Sequence, residues 1–144
     1  MKNLNIITDK IIFSTQGNTD IINITEYLSQ IVASSQIYDG IVTIFVPGAT
    51  GGVTTIEYEK ELIKDTKEMF SEIIKDDKFY HHNTTHFPGN AASHLRATLI
   101  GPSLVIPISD GKLQLGTWQE VVFIDFDNRP RNRELIVKII GVKK

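Results

Sequence analysis

The chain contains no cysteine, which excludes disulfide bonds, thiolate metal sites and a cysteine nucleophile. No run approaches the roughly 18 apolar residues of a membrane-spanning helix, and the N-terminal segment lacks the apolar stretch of a signal peptide. No charge sign dominates, because 15 basic and 17 acidic residues give a formal net charge of −2. Such a balance offers no broad basic surface for nucleic acid. We therefore expect a cytoplasmic protein that binds neither nucleic acid nor membranes.

The remaining composition is that of an ordinary globular protein. Of its 144 residues, 41% are apolar and 22% are charged, and we expect a single domain over residues 1–144. Apolar residues at helical spacing predict helices at about 24–36, 60–75 and 90–101. Shorter apolar runs predict strands at 4–14, 40–48, 52–59 and 103–108, with three more between 112 and 141.

The order of these elements predicts the fold class. Helices cluster in the first two-thirds of the chain and strands in the last third, which is typical of a compact α+β fold with a mixed or antiparallel β-sheet flanked by helices. Charge within segment 4–14 predicts a turn at Asp9-Lys10 or two short paired strands. The almost continuously apolar segment 40–48 is typical of a strand buried on both faces.

All four histidines lie in "HHNTTHFPGNAASHL", residues 81–95. Their spacing allows His82, His86 and His94 to converge, and imidazole nitrogens suit zinc, nickel, copper or iron. For His81 and His86 the preferred interpretation is a solvated loop residue without a functional role. For His82 a solvated residue and a functional site residue are equally favoured.

His94 is the strongest candidate among the four. It lies beside Ser93 and Arg96 at the start of a short apolar helix, a position typical of a proton shuttle or an anion contact. Neighbours on a helix point about 100° apart and no GxSxG motif is present, so Ser93 and His94 do not indicate a serine hydrolase.

Several other segments are weighed as sites for chemistry. In "VPGATGG" (46–52), backbone N–H groups can form a concave anion site, although a tight hairpin with positive φ at Gly51 and Gly52 explains the glycines equally well. Carboxylates at 57 and 59, and at 125 and 127, can form a magnesium site or an acid/base pair, but for Glu59 and Asp127 a solvent-facing strand is the preferred interpretation. "RPRNR" (129–133) is interpreted as a charged turn, and Trp118 as a core residue or a stacking platform.

The set of motifs resembles the YjbQ-like family. The resemblance covers nearly the whole chain and depends most on "SHLRATLIGPSL", "DGKLQLGTWQ" and "FDNRPRNRE". It implies a sheet flanked by helices and assembly as a homotrimer. Some members are described as secondary thiamine-phosphate synthases, which join an aminopyrimidine pyrophosphate to a thiazole phosphate and release pyrophosphate.

The resemblance also implies roles for individual residues. Catalysis would fall to His94, His82 and Glu57, with Glu57 helping to bind Mg²⁺ and a histidine protonating the leaving group. Contacts to a phosphorylated heterocyclic substrate would come from Gly48, Thr50, Gly51, Asn90, Arg96, Thr117, Trp118 and Gln119. Many members read "PHTT" where this chain has Pro47-Gly48-Ala49-Thr50, and Glu57 or His86 could compensate for the missing histidine. The alternative expectation is a non-catalytic trimer that binds a metal or a small anion.

Overall fold

The structure is a computed structural model that describes residues 2–144. Its helices are α1 (Thr25–Ser35), α2 (Lys60–Ile73) and α3 (Ala91–Ile100), with one 3₁₀ turn at His81–Thr84. Its strands are β1 (Leu4–Thr15), β2 (Asp20–Asn23), β3 (Ile37–Phe45), β4 (Gly51–Ile56), β5 (Ser103–Ser109), β6 (Lys112–Leu113), β7 (Glu120–Asp125) and β8 (Arg131–Lys143). Within these residues, no helix is long and apolar enough to cross a membrane.

The strands form two sheets in which every pairing is antiparallel. One sheet has the order β1-β8-β3-β5-β6, and the other has the order β2-β7-β4. The larger sheet, α1 and one face of β7 enclose the main core, whereas α2 and α3 cover the opposite face of β7 with Phe70 and Ala97. The α+β fold is thus confirmed, and its sheets are antiparallel rather than mixed.

The three predicted helices are confirmed to within two residues at each end. The N-cap of α1 is Ile24, which makes no side-chain capping hydrogen bond, and the preceding Asn23 accepts a hydrogen bond from the Thr25 N–H at 3.0 Å. A tight turn at Asp110-Gly111 joins β5 to β6, and both residues have positive φ as this turn requires.

Other predictions about strands were wrong. β1 is one continuous strand of 12 residues paired with β8, so no turn occurs at Asp9-Lys10. β3 alternates between buried and exposed residues, and the strand buried on both faces is β7. Segment 112–119 is a strand only at Lys112–Leu113, and "RPRNR" is a turn only up to Pro130 because β8 begins at Arg131.

The segment after β4 also differs from its predicted form. β4 ends at Ile56, so Glu57 and Glu59 do not share a strand face. The Glu59 carboxylate instead caps α2 by accepting hydrogen bonds from the N–H groups of Glu61 and Leu62 at 2.9 and 2.8 Å. These two backbone donors lower the pKa of Glu59 below its ordinary value.

Candidate functional site

A cavity of about 590 Å³ lies where the loop before β4, the start of α3 and the β7–β8 connection meet. Its polar lining comprises Thr50, His86, Asn90, His94, Asp127, Asn128, Arg129, Arg131 and Arg133. We call this space the arginine cavity. Three guanidinium groups and one carboxylate line this cavity, and the excess of positive charge favours an anionic ligand.

Arg133 is fixed at the back of the arginine cavity by a buried ion pair. Its Nε and Nη2 donate to the Asp125 carboxylate at 2.7 and 2.8 Å, and the Asp125 side chain is fully buried. Nη2 also donates to Thr50 Oγ1 at 2.9 Å, and Thr15 Oγ1 donates to Asp125 at 2.6 Å. Both carboxylate oxygens are therefore engaged, and the guanidinium is held in one orientation.

Asp127 holds the front of the arginine cavity in a similar way. Its carboxylate accepts hydrogen bonds from the Arg131 side chain, the Asn128 backbone N–H and the Asn90 amide. Burial alone raises the pKa of Asp127, but these three donors and the charge of Arg131 outweigh it and hold the pKa below its ordinary value. Asp127 is therefore an anchor for Arg131 rather than a free acid or base.

Three histidine rings pack together beside the arginine cavity. The rings of His82 and His86 stack at 4.2 Å between centroids, and His94 meets His82 edge to face at 4.9 Å. Asn90 bonds to His82 Nε2 at 3.2 Å, and His94 Nδ1 lies 3.0 Å from the Ala49 carbonyl oxygen. A carbonyl oxygen only accepts hydrogen bonds, so Nδ1 of His94 carries a proton and Nε2 is left for a ligand.

The far side of the same rings borders an apolar pocket of about 430 Å³. Its lining consists of Tyr80, His81, His82, Ala91, His94 and Leu95. His82 borders this pocket and bonds to Asn90 in the arginine cavity, while His94 lines both spaces. The two imidazoles thus separate an apolar space from a cation-rich one.

The predicted metal site at His82, His86 and His94 finds no supporting geometry. Over residues 2–144, no three His, Asp or Glu side chains are placed to hold one ion. The nitrogens of two stacked imidazoles lie in parallel ring planes, so their lone pairs do not point at a shared position. The fourth histidine, His81, packs against Phe79 instead of the other three rings.

The predicted site residues divide into three groups. The arginine cavity is lined by Gly48, Thr50, His86, Asn90 and His94, and His82 bonds to Asn90 beside it. Glu57, Thr117, Trp118 and Gln119 lie at the opposite end of β4 and β7, where Gln119 donates to Thr55 at 3.0 Å. Six residues of strand span about 20 Å, so within one chain these four do not join the histidines.

The third group consists of Gly51 and Arg96, which do not line the arginine cavity. The predicted positive φ at Gly51 and Gly52 was wrong, because both lie in β4 with extended backbones and are required by close packing. A Cβ atom on Gly51 would lie 2.5 Å from the Phe123 ring. Arg96 lines a separate cavity on another side of α3.

Sequence reasoning missed the importance of four charged residues. Asp125 and Asp127 were considered for a metal, and Arg131 and Arg133 were assigned to a turn, yet together they build the arginine cavity. An available signal was their alternation: residues 125 and 127, and residues 131 and 133, flank one connection at a spacing that places each pair on one face of a strand.

Comparison with known proteins identifies the family. The family model described as "UPF0047 protein YjbQ-like" matches residues 9–142, and the chain belongs to this family. A UPF0047 protein of Methanocaldococcus jannaschii is 39% identical over 130 residues, which cover 90% of this chain and 91% of the relative. UPF0047 protein YugU of Bacillus subtilis is 30% identical over 128 residues, which cover 88% of this chain and 94% of YugU.

Solved structures agree with this assignment. The crystal structure of a protein from Sulfolobus solfataricus, described as YbjQ-like and of unknown function, superposes with a TM-score of 0.91 at 32% identity, covering 96% of this chain and 99% of that one. A yjbq/upf0047-family protein from Clostridium acetobutylicum has a TM-score of 0.83 at 32% identity, covering 91% of this chain and 98% of its own. The fold and the family therefore agree.

Proposed function

We propose that this protein is a secondary thiamine-phosphate synthase, which joins an aminopyrimidine pyrophosphate to a thiazole phosphate. The observation that carries the proposal is the position of His82 and His94 between the apolar pocket and the arginine cavity. A planar heterocycle suits the apolar pocket, while its pyrophosphate suits the arginines. No ring would then need to stack on Trp118, which lies at the far end of β4 and is 73% exposed.

The reaction requires that charge on the departing pyrophosphate be stabilised. Breaking the C–O bond leaves a pyrimidine methylene cation and pyrophosphate, after which the thiazole nitrogen donates its electron pair to the methylene carbon. Arg129, Arg131 and Arg133 would hold the leaving group, because preorganised cations favour a transition state in which negative charge develops. For proton transfer, His94 would act as the imidazolium, donating its Nε2 proton to a pyrophosphate oxygen and keeping the Nδ1 proton that faces the Ala49 carbonyl.

The described carboxylates do not fit a protein-held magnesium ion at this place. Asp125 and Asp127 are engaged by arginines, and Glu57 lies at the other end of β4. The arginines therefore carry the charge neutralisation that the resemblance assigned to Glu57 and Mg²⁺.

Assembly as a homotrimer is part of the proposal. The outward face of the five-stranded sheet exposes Ile6, Ile12, Ile41, Phe45, Val105, Ile136 and Ile140. Ile6, Ile140 and Ile41 are aligned in one row across β1, β8 and β3. An apolar patch spread over four strands favours contact with another copy of the chain.

The test is formation of thiamine phosphate by purified protein from the two phosphorylated halves with Mg²⁺. His94→Ala should abolish turnover, whereas Tyr27→Ala, which removes an exposed ring that lines neither the apolar pocket nor the arginine cavity, should retain it. Equal activity in the folded His94 variant would remove His94 from the mechanism.

The alternative is a non-catalytic trimer that binds a small anion, and the arginine cavity itself favours it. Pyrophosphate binding by calorimetry, without product formation by the folded native protein, would support this alternative and contradict the synthase.

A further inference from the structure

A second cavity, of about 500 Å³, lies on another side of α3. Arg96 and Ser93 from α3, Thr19 from the β1–β2 connection and Ser71 from α2 contribute to its lining. Residues 94 and 96 are about 200° apart on a helix, so His94 and Arg96 face different spaces. Asn128 borders both this cavity and the arginine cavity, which makes the two neighbours.

The second cavity contains one fully buried donor without a partner. Within residues 2–144, Arg96 Nε is the only buried side-chain nitrogen or oxygen that lacks a hydrogen bond, whereas buried polar groups nearly always have one. Thr19 is 7% exposed and Ser93 is 4% exposed, and both line the same cavity. Their hydroxyl oxygens are not fully buried and form no side-chain hydrogen bond within these residues, so they are available to a polar ligand in the cavity.

Arg96 supplies a positive charge to the same cavity. Its side chain is 6% exposed, and its Nη2 donates to the Ile74 carbonyl and to Asp76 at 3.2 Å. Asp76 is 75% exposed, so a buried guanidinium is paired only with a solvated carboxylate. Its Nε is buried without a hydrogen-bond partner. A desolvated cation with incomplete partners attracts an anion.

The backbone at Thr19 is unusual as well. Its φ of 62° follows a φ of 57° at Asn18, a conformation that β-branched residues rarely adopt. Alanine or glycine would adopt it with less strain. The strained residue nevertheless places its hydroxyl in the cavity, as is common for binding positions.

We propose that this cavity is a second oxyanion site, which binds a phosphate group through Arg96, Ser93 and Thr19. Three charged side chains lie at the rim of the cavity. Lys67 is positively charged, like Arg96, and attracts an anion, whereas the carboxylates of Glu68 and Asp76 repel it. Asp76 lowers the affinity because it accepts a hydrogen bond from Arg96 Nη2, whereas no carboxylate bonds to the hydroxyls of Ser93 and Thr19. The site is separate from the arginine cavity and does not depend on the synthase reaction.

The test is titration of the native protein with inorganic phosphate, followed by amide chemical shifts. We expect the amides of Thr19 and Ser93, which line only the second cavity, to shift together. Thr19→Ala and Ser93→Ala should each weaken this binding by about tenfold, while the thermal midpoint stays equal or rises in Thr19→Ala. Asp76→Asn should tighten it, because the carboxylate that competes for Arg96 is removed.

The same titration separates this site from the arginine cavity. Shifts at Ala49 and Thr50 report the arginine cavity and should be unaffected by Thr19→Ala. Native protein whose Thr19 and Ser93 amides do not respond to millimolar phosphate would overturn the second site, as would unchanged binding in both hydroxyl variants. Absence of synthase turnover bears only on the proposed function.

Discussion

Asp125 and Arg133 form a buried two-point ion pair, with Nε–Oδ2 at 2.7 Å and Nη2–Oδ1 at 2.8 Å. Asp125 is the last residue of β7 and Arg133 is the third of β8. The pair therefore joins the three-stranded sheet to the five-stranded sheet. Arg133 Nη2 also donates a hydrogen bond to Thr50, which lines the arginine cavity. The same guanidinium therefore supports the cavity wall and the contact between the two sheets.

Asp125→Asn is expected to destabilise the fold strongly. The variant leaves the Arg133 cation buried without its counter-charge, and breaking a buried pair costs about 3–5 kcal/mol. Urea unfolding should show a lower midpoint with an unchanged slope. The control Asp9→Asn alters a carboxylate on β1 that is solvent-exposed and should unfold like the native protein. Equal midpoints for both variants would contradict a stabilising role for the pair.

Asp127 should make stability fall in acid. Its pKa is lowered in the fold, so its contribution is complete at pH values above the ordinary value near 4 and is lost as the pH falls through the lower, folded value. Asp127→Asn removes this contribution. We expect native protein to lose thermal stability below about pH 4 more steeply than the variant, with parallel profiles from pH 6 to 8. Parallel profiles throughout would argue against the hydrogen bonds assigned to Asp127.

The fold was more predictable from the sequence than the site. Helix α2 is set by local spacing of Leu62, Ile63, Phe70 and Ile73, and local patterns are readable without tertiary information. The exposure of Ile41 and Phe45 could not be predicted from the sequence, because an apolar strand face has the same residue pattern whether it faces the core or the solvent. The role of Arg133 was missed because its partner Asp125 belongs to the other sheet, so their contact is formed only in the folded protein. A charged residue near the end of a strand is ordinarily solvated.

The outward face of the five-stranded sheet should control self-association. Ile41→Lys places a charge at the centre of the apolar rows but alters a side chain already 42% exposed, so the monomer should fold normally. Sedimentation analysis should show native trimers and variant monomers. Met69→Lys, at a comparably exposed apolar position on α2, is the control and should remain trimeric. Native protein that sediments as a monomer would contradict the trimer.

The thermal stability of the protein should fall when Gly51 is replaced by alanine but not when Gly48 is. A Cβ atom at Gly51 would lie 2.5 Å from the Phe123 ring inside the core, so Gly51→Ala should lower the thermal midpoint by several degrees. A Cβ atom at Gly48 would meet only Arg133 Nη1 at 3.4 Å and Val46 at 4.0 Å, and the Gly48 backbone does not need positive φ.

Gly48→Ala should therefore keep native stability while weakening pyrophosphate binding, because its methyl group enters the arginine cavity next to Arg133. The larger Gly48→His should also fold and should weaken binding further, because its ring occupies more of the arginine cavity. Calorimetry with pyrophosphate and thermal unfolding of all three variants provide the measurement. Unfolding of Gly48→Ala would show that the fold, rather than the ligand, requires glycine there.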